Sequence, residues 1–264
     1  MSYVALYRKF RPMKFSEVVG QEHVEKTLKN QIKNGRIGHA YLFTGGRGSG
    51  KTSTAKILAR AVNCLNVQDG EPCNECEICK SAISGSLVDI TEMDAASNNG
   101  VDNIRDIREE VEFIPTSAKY RVYIIDEVHM LSTGAFNALL KTLEEPPAHV
   151  IFILCTTEPQ KLPATIISRC QRFDFKKISI PNIMKRLKYI CDESNIKIEE
   201  SAQRLIAKLS EGAMRDAVSI LDRCVSDGDT EITEAKIREL SGVPNLNTYI
   251  IRQRISPQEI AKQF

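Results

Sequence analysis

The stretch GGRGSGKT, Gly45 to Thr52, constrains the fold of this chain more than any other part of the sequence. It fits the pattern G-x-x-x-x-G-K-[ST], it follows the apolar segment HAYLF, and it leads into TSTAKILARAV, which has the composition of a helix. The glycines permit a tight loop whose N–H groups close on phosphate oxygens, and the helix presents its positive end to the same phosphates. A chance glycine-rich turn would not need this context. The sequence therefore predicts a nucleotide site built on a strand, a loop and a helix.

Positions within this loop have separate expected roles. Lys51 is expected to reach the β- and γ-phosphates, and Thr52 is expected to ligate Mg²⁺. The residues predicted to bind the nucleotide are Gly45, Gly46, Arg47, Gly48, Ser49, Gly50, Lys51, Thr52 and Ser53.

Two acidic residues extend this prediction to catalysis. The segment RVYIIDEVH puts Asp126 and Glu127 at the end of an apolar strand, where ligands gather in parallel sheets. Asp126 can hold the Mg²⁺ ion, and Glu127 can orient and deprotonate an attacking water. Two acids at a strand end are more often a turn or a helix cap, but together with the loop they predict nucleotide hydrolysis.

The first two thirds of the chain alternate strand and helix patterns. The predicted strands are HAYLFTGG (39–46), LVDITEMDA (87–95), RVYIIDE (121–127), VIFILCTT (150–157) and RCQRFDF (169–175). VIFILC is continuously apolar, as a strand buried on both faces should be. Between the strands, Val101, Ile104, Ile107, Val111 and Ile114 recur at helical spacing, and TGAFNALLKTLEE (133–145) predicts a helix that stops at Pro146. These patterns predict an α/β fold with a doubly wound parallel sheet over residues 1–178.

The pattern changes after residue 178. The segments IMKRLKYICDESN, ESAQRLIAKLS, MRDAVSILDRCVSDG and TEAKIREL predict amphipathic helices with no strands between them. We expect a small all-helical domain over residues 179–243, followed by a short tail over 244–264.

Composition restricts the partners and the compartment. The chain has 264 residues, of which 42% are hydrophobic and 27% charged, and it contains no run near the ~20 apolar residues of a membrane helix. Its start lacks the features of a secretory signal, so we expect a cytoplasmic protein with no membrane contact. A net charge of +2 means that any contact with DNA must come from local basic patches, such as the QEHVEKTLKNQIKNGR and NIRDIREE segments.

Four of the eight cysteines are concentrated in the segment CLNVQDGEPCNECEIC. Their spacing, C-x8-C-x2-C-x2-C, predicts a structural Zn²⁺ site of Cys64, Cys73, Cys76 and Cys79. An iron–sulfur cluster is a weaker alternative, and a redox pair would use only two of the thiols. The site could be a surface for a partner protein or a staple for a polar insertion. The other cysteines, at 155, 170, 191 and 224, are expected to be small buried hydrophobic residues.

Several further segments make the pattern more specific. YRKFRPMKFSEVVGQEHV (7–24), DEVHML (126–131), CTTEPQKLPATIISRC (155–170) and GAMRDAVSILD (212–222) resemble those of the AAA+ ATPases and, more narrowly, of the bacterial clamp-loader gamma/tau subunits of DNA polymerase III. The resemblance covers about residues 3–242. It implies an AAA+ P-loop fold with a helical lid, and the four cysteines match the zinc module that this family carries after its phosphate-loop helix.

The resemblance also implies residue roles that the spacing alone does not. Thr157 matches the sensor 1 position near the γ-phosphate, although a polar residue at a strand end is often only a cap. Arg169 matches the arginine finger that reaches a neighbouring subunit's ATP, and Arg215 matches sensor 2, with a local salt bridge as its alternative. Tyr7, Arg11 and Val19 are implied to lie near the base and ribose, although Arg11 could instead belong to a basic patch. His129, within DEVHML, could sense nucleotide or have a packing role.

The implied activity is that of an ATP-driven motor within the DNA polymerase III holoenzyme. Its implied cofactors are ATP, Mg²⁺ and Zn²⁺, and its implied partners are the delta and delta prime subunits, the sliding clamp and primed DNA without sequence preference. The alternatives are a non-hydrolysing AAA+ scaffold subunit and a DNA-remodelling AAA+ motor. Because residues 244–264 do not resemble the start of the family's collar domain, we expect that domain to be absent or truncated in this sequence.

Overall fold

The computed structural model describes residues 5–226 and 231–242. These residues form two compact units. Residues 11–178 make up the first, and residues 5–10 together with the described part of 179–242 make up the second. The predicted boundaries assign residues 5–10 to the first domain, whereas their contacts lie within the second unit. The predicted tail, 244–264, lies outside the described residues.

The first unit is built around one sheet of five parallel strands. They are β1 (Ala40–Gly45), β2 (Ile90–Asp94), β3 (Arg121–Asp126), β4 (Val150–Thr156) and β5 (Gln171–Phe175). Their order across the sheet is β2-β3-β4-β1-β5, and every neighbouring pair is parallel. The carboxyl ends of all five strands therefore lie at one edge, where ligands bind in such sheets. The predicted doubly wound parallel sheet is confirmed.

Helices flank the sheet and also form most of the second unit. In chain order, the helices of the described residues are α1 (Leu6–Lys9), α2 (Glu22–Lys33), α3 (Lys51–Asn63), α4 (Glu77–Ser84), α5 (Val101–Glu110), α6 (Thr133–Glu144), α7 (Ala164–Ile167), α8 (Ile180–Glu193), α9 (Glu200–Leu209), α10 (Met214–Ser226) and α11 (Glu234–Ser241). None of them combines the length and the apolar character that a membrane crossing requires.

The sheet is covered on both faces, which explains the continuously apolar strands. On β3, Tyr123 and Ile125 belong to a buried cluster that includes residues of α5 and α6. Val122 and Ile124, which point to the opposite face, belong to a second cluster that includes residues of α2 and α3. Because successive residues of a strand face opposite sides, a strand between two helical layers must be apolar at every position.

Helix α5 ends earlier than its apolar spacing predicts. It stops at Glu110, Val111 remains buried, and Ile114 is 78% exposed. Pro115 follows, and a proline disfavours the helical conformation of the residue before it. The prediction that Ile114 continues the helical face is therefore wrong.

The second unit consists mainly of α8 to α11 and α1. It also contains two strands of two residues each, β6 (Lys197–Ile198) and β7 (Glu231–Ile232), which pair in parallel. The prediction that no strands separate these helices is wrong in this detail, because β6 lies just before α9 and β7 lies just before α11, where the side chain of Ile232 is buried. The amphipathic helices themselves are confirmed.

Candidate functional site

The phosphate loop lies at the carboxyl end of β1 and leads directly into α3. Gly45 has φ 145°, and a Cβ atom at this position would lie 2.5 Å from the carbonyl oxygen of Phe175, so only glycine fits. Gly50, the residue before α3, has φ 103° and also requires glycine. The backbone thus takes the tight conformation expected of a loop that surrounds phosphate.

The side chain of Lys51 points into the phosphate loop. Its side-chain Nζ donates hydrogen bonds to the carbonyl oxygens of Gly45, at 2.8 Å, and Gly46, at 2.9 Å. The residue is 5% exposed, and this burial lowers the pKa of Lys51, while the carboxylates of Glu127 and Asp126 act in the opposite direction. The buried ammonium group of Lys51 therefore favours an anion at the centre of the loop.

Thr52 and Asp126 meet at the mouth of the loop. The Thr52 hydroxyl donates to Oδ2 of Asp126 at 2.7 Å, across 74 residues of sequence. Asp126 ends β3, and its other oxygen, Oδ1, accepts the N–H of Glu127 at 3.0 Å. A hydroxyl and a carboxylate at this separation are oxygen ligands of the kind that Mg²⁺ prefers, with waters in the remaining positions.

Glu127 has an unusual backbone and a well-held side chain. Its φ is 47°, in the left-handed region. Its Oε2 accepts the hydroxyl of Thr157 at 2.9 Å and lies 3.3 Å from that residue's backbone nitrogen. Thr157 directly follows β4, the strand beside β3, so the parallel sheet brings these two residues together. Five predicted residues, Lys51, Thr52, Asp126, Glu127 and Thr157, thus lie in one connected group.

His129 lies behind Glu127 and contacts a second carboxylate. Its side chain is 6% exposed, with Nδ1 3.4 Å from Oε2 of Glu127 and Nε2 3.3 Å from Oε1 of Glu158. Nδ1 also lies 3.0 Å from the hydroxyl of Thr156. Sequence reasoning missed Thr156 and Glu158, although their position at the end of a central strand is a usable signal.

Arg169 is placed apart from this group. It follows α7, and its guanidinium donates to Oε1 of Glu144 at 2.7 Å and to the carbonyl oxygen of Thr165 at 2.8 Å. Its side chain is 32% exposed. The residue is thus held at the surface by a carboxylate of α6, within reach of solvent.

The segment of residues 11–21 borders the phosphate loop. Arg11 donates from Nε to the hydroxyl of Ser53 at 3.3 Å, and Val19 is half-buried. Gln21 is 1% exposed and donates from Nε2 toward the carbonyl oxygen of Ser49 at 3.4 Å, a contact that sequence reasoning missed.

Two predicted nucleotide contacts belong to the second unit. The guanidinium of Arg215, in α10, lies 5.6 Å from the ring centroid of Tyr7, in α1, which is a cation–π distance. Their proposed contacts with nucleotide stay predictions, as does the role of Val19.

The four cysteines of the insertion converge on one point. The sulfur atoms of Cys64, Cys73, Cys76 and Cys79 all lie within 4.8 Å of one another. The Cys64 and Cys73 sulfurs are 3.4 Å apart, and those of Cys73 and Cys79 are 4.0 Å apart. Cys76 is the N-cap of α4, and its sulfur accepts the N–H of Cys79 at 3.5 Å. This cluster is able to hold a metal ion.

Backbone groups already favour negative charge on one of these sulfurs. Burial opposes ionisation of Cys73, but the N–H groups of Glu75 and Cys76 point at its sulfur and lower the pKa of Cys73 to about 6. Burial raises the pKa of Cys64 and of Cys79 in the absence of a cation.

Of the remaining cysteines, those at 155, 191 and 224 are buried as predicted, and Cys170 is only half-buried.

Family models match nearly all of the described chain. Residues 20–179, more than half of the sequence, match a model described as "DNA polymerase III, delta subunit". Residues 182–230 match a model described as "DNA polymerase III clamp loader subunit, ATPase lid domain".

Individual relatives agree with these models. The chain is 61% identical over 226 residues to DNA polymerase III subunit tau of Bacillus subtilis, covering 86% of this chain and 40% of the relative. It is 47% identical over 242 residues to DNA polymerase III subunit tau of Escherichia coli, covering 92% of this chain and 38% of the relative. The chain therefore spans about two fifths of the length of these curated relatives.

Among solved structures, the fold is similar to that of the RuvB Holliday junction branch migration motor of Thermotoga maritima. The TM-score is 0.64 at 21% sequence identity, covering 90% of this chain and 74% of that one. At this identity the likeness concerns the fold alone, and the lid domain is supported by the family model that matches residues 182–230.

Proposed function

Because this chain belongs to the gamma/tau family of DNA polymerase III clamp-loader subunits, we propose that it is an ATP-driven motor subunit of a clamp loader. ATP binding at the phosphate loop promotes opening of the sliding clamp, and primed DNA triggers hydrolysis and clamp closure. The observation that carries this proposal is the contact of 2.7 Å between Thr52 and Asp126, beside Glu127. It supports hydrolysis, because a non-hydrolysing scaffold has no need of an intact set of these residues.

Different residues of the site bind the phosphates of ATP and the Mg²⁺ ion. Lys51 exchanges its hydrogen bonds to the Gly45 and Gly46 carbonyls for the β- and γ-phosphate oxygens. Thr52 and Asp126 hold Mg²⁺, which neutralises charge on the phosphates when it is bound. N–H groups at the start of α3 add their partial positive charge at the same place.

The reaction is activated by Glu127 and Thr157. Glu127 takes a proton from a water in line with the γ-phosphate, and Thr157 holds the carboxylate in place through its hydroxyl. Because Thr157 also donates its backbone N–H to the same carboxylate oxygen, it is suited to exchange one of these bonds for a phosphate oxygen.

The last catalytic group is an arginine that one subunit contributes to the ATP site of its neighbour. Arg169 is exposed enough to leave Glu144 and to stabilise charge on the phosphoryl group bound by a neighbouring subunit. The partners are the delta and delta prime subunits, the sliding clamp and primed DNA in the cytoplasm. DNA is bound through its phosphates, without sequence preference, as expected of a protein with little net charge and local basic helices.

The cysteine cluster holds a structural Zn²⁺ ion. Zn–S distances of about 2.3 Å in a tetrahedron put the sulfurs about 3.8 Å apart. Two of the sulfur separations, 3.4 and 4.0 Å, bracket this value, and all four sulfurs lie within 4.8 Å of one another, so the donor set fits zinc. Four thiolates fill the coordination sphere, and the ion supplies folding free energy and no catalysis.

The test is steady-state ATP turnover by the full-length protein, alone and with the other loader subunits, clamp and primed DNA. We expect weak turnover alone and strong stimulation by the complete set. Lys51→Ala should abolish both, Glu127→Gln should retain ATP binding while kcat falls about 100-fold or more, and Arg169→Ala should remove the stimulation. Arg204→Ala, which breaks an exposed ion pair with Glu200, is the matched control. Stimulation that survives in Arg169→Ala would exclude a finger in trans.

A further inference from the structure

The segment of residues 11–21 connects the cysteine module to the phosphate loop. We define the cysteine module as residues 64–79, from the first to the last of the four clustered cysteines. Within the segment, Phe15 is fully buried and Val18 is 7% exposed, and both belong to the buried cluster that includes α3. The segment is therefore a packed part of the first unit, and its backbone position depends on what binds it on each side.

On one side, the segment contacts the phosphate loop and the first turn of α3 at three points. Gln21 reaches the Ser49 carbonyl, and Arg11 reaches the Ser53 hydroxyl. Between them, Val18 packs so closely that a Cβ atom at Gly50 would lie 3.1 Å from its Cγ1. A displacement of the segment would therefore change the environment of the loop and of the start of α3.

On the other side, the cysteine module binds the backbone of the same segment through Glu71. The Glu71 carboxylate accepts the N–H of Phe15 at 2.7 Å and the N–H of Ser16 at 3.0 Å. The residue is 9% exposed, and Lys29 of α2 lies 3.3 Å from its Oε1 and balances its charge. Hydrogen bonds to a partly buried carboxylate are among the stronger ones in proteins.

A second attachment comes from between two of the clustered cysteines. Asn74 donates from Nδ2 to the carbonyl oxygen of Met13 at 3.1 Å. Arg60 of α3 donates to the same carbonyl at 2.9 Å, and its Nε donates to Oδ1 of Asn74 at 3.2 Å. Asn74 has φ 61°, so its side chain is aimed by the left-handed turn between Cys73 and Cys76.

We propose that the cysteine module is a positioning element for the nucleotide site, and that Glu71 and Asn74 are the positioning residues that link them. This inference rests on the proposed function in treating the phosphate loop as the nucleotide site. The turn that aims Asn74 lies between two cysteines of the cluster, so a metal ion held by those cysteines also fixes Asn74. Loss of the metal weakens the hold of the module on Met13 and Phe15 and, through them, loosens Arg11 and Val18.

The test compares three variants of the full-length protein. Asn74→Gly removes the amide while the backbone keeps its positive φ, which alanine would strain. Glu71→Ala removes the acceptor of the Phe15 and Ser16 amides. Glu75→Ala is the matched control, because it removes an exposed carboxylate from the same module while keeping the backbone N–H that Cys73 uses.

Three quantities are measured: bound zinc per chain, hydrogen exchange in peptides that cover residues 11–19, and kcat and KM for ATP. We expect zinc content near wild type in every variant. In Asn74→Gly and Glu71→Ala, we expect exchange at residues 13–16 to rise about tenfold or more and KM to rise about tenfold with kcat within twofold. Glu75→Ala should match the wild type, and removal of zinc from the wild type by a chelator should reproduce the faster exchange.

The outcomes separate this inference from the proposed function. Unchanged exchange and KM in both variants would overturn the inference, even if turnover is normal. A fall in kcat at constant KM would also overturn it, because that pattern indicates a defect in chemistry or stability and not in nucleotide positioning. Faster exchange in an otherwise intact protein that hydrolyses no ATP in any form would support the link and refute the proposed function.

Discussion

At the scale of single residues, the site is assembled from residues that each end or follow a strand. Asp126 ends β3, Thr157 follows β4, and the phosphate loop follows β1. The positions of Asp126 and of the phosphate loop could be predicted from the sequence because parallel strands deliver their carboxyl ends to one edge, whereas the role of Thr157 is implied by the family resemblance. What the sequence does not contain is which oxygen contacts which hydroxyl, since the Thr52–Asp126 contact spans 74 residues.

At this scale, His129 contacts three residues at the edge of the site. Its ring lies between the carboxylates of Glu127 and Glu158 and contacts the hydroxyl of Thr156. A ring in this position restricts the orientations of Glu127, and the proposed mechanism requires this carboxylate to stay aimed at the attacking water.

We therefore predict that His129→Ala lowers kcat for ATP hydrolysis about tenfold, equivalent to about 1.4 kcal/mol of transition-state stabilisation, with little change in KM. His129→Asn, whose amide nitrogen can occupy the position of Nδ1, should recover part of the loss. Steady-state kinetics of both variants provide the test. Turnover equal to wild type in His129→Ala would assign the ring a packing role only.

At the scale of structural elements, the strands were predictable and the connections between them were not. Strands β1, β3 and β4 are marked by apolar runs, whereas β2 and β5 are more polar, α5 ends before Pro115, and β6 and β7 are too short to leave a pattern. The loop before β3 is another case, because its conformation depends on a buried acid from a different part of the chain. That acid is Asp89, which directly precedes β2.

Asp89 organises this loop through three backbone hydrogen bonds. Its carboxylate accepts the N–H groups of Thr116, Ser117 and Ala118 at 2.8, 2.7 and 2.9 Å, and Arg121 lies 3.7 Å away. Burial acts to raise the pKa of Asp89, but the hydrogen bonds and Arg121 outweigh it, so the pKa is lowered. The folded state therefore prefers the ionised form.

We predict that Asp89→Asn lowers the free energy of unfolding by about 2–3 kcal/mol at neutral pH, because an amide cannot accept all of these bonds. A lowered folded pKa means that the contribution of Asp89 is complete above the unfolded pKa of about 3.9 and is lost as the pH falls through the folded pKa. The difference between wild type and variant should thus narrow below about pH 4.

Denaturant unfolding at several pH values checks this prediction. Asp102→Asn is the control, because the Asp102 side chain is 84% exposed and pairs only at the surface with Arg105. A stability difference for Asp89→Asn that stays constant from neutral to acid pH would contradict the account of this carboxylate.

At the scale of the whole molecule, the sequence predicts the separate functional segments better than the contacts between them. The phosphate loop, the helical lid and the four cysteines are each visible as local patterns. The connection between the cysteine module and the phosphate loop is not, because it passes through hydrogen bonds such as Phe15–Glu71, whose partners are 56 residues apart. Such contacts depend on the tertiary fold and leave no periodic signal.

The relatives are more than twice as long as the matched part of this chain, so the proposed motor activity is best measured in the assembled loader. The most direct measurement is the transfer of labelled sliding clamp onto primed circular DNA, with the loader reconstituted from full-length wild-type or Lys51→Ala protein. We predict ATP-dependent loading with the wild-type protein and at least a hundredfold slower loading with Lys51→Ala, because the buried cation of the phosphate loop is lost. Equal loading rates with the two proteins would contradict the claim that ATP bound by this chain drives the clamp loader.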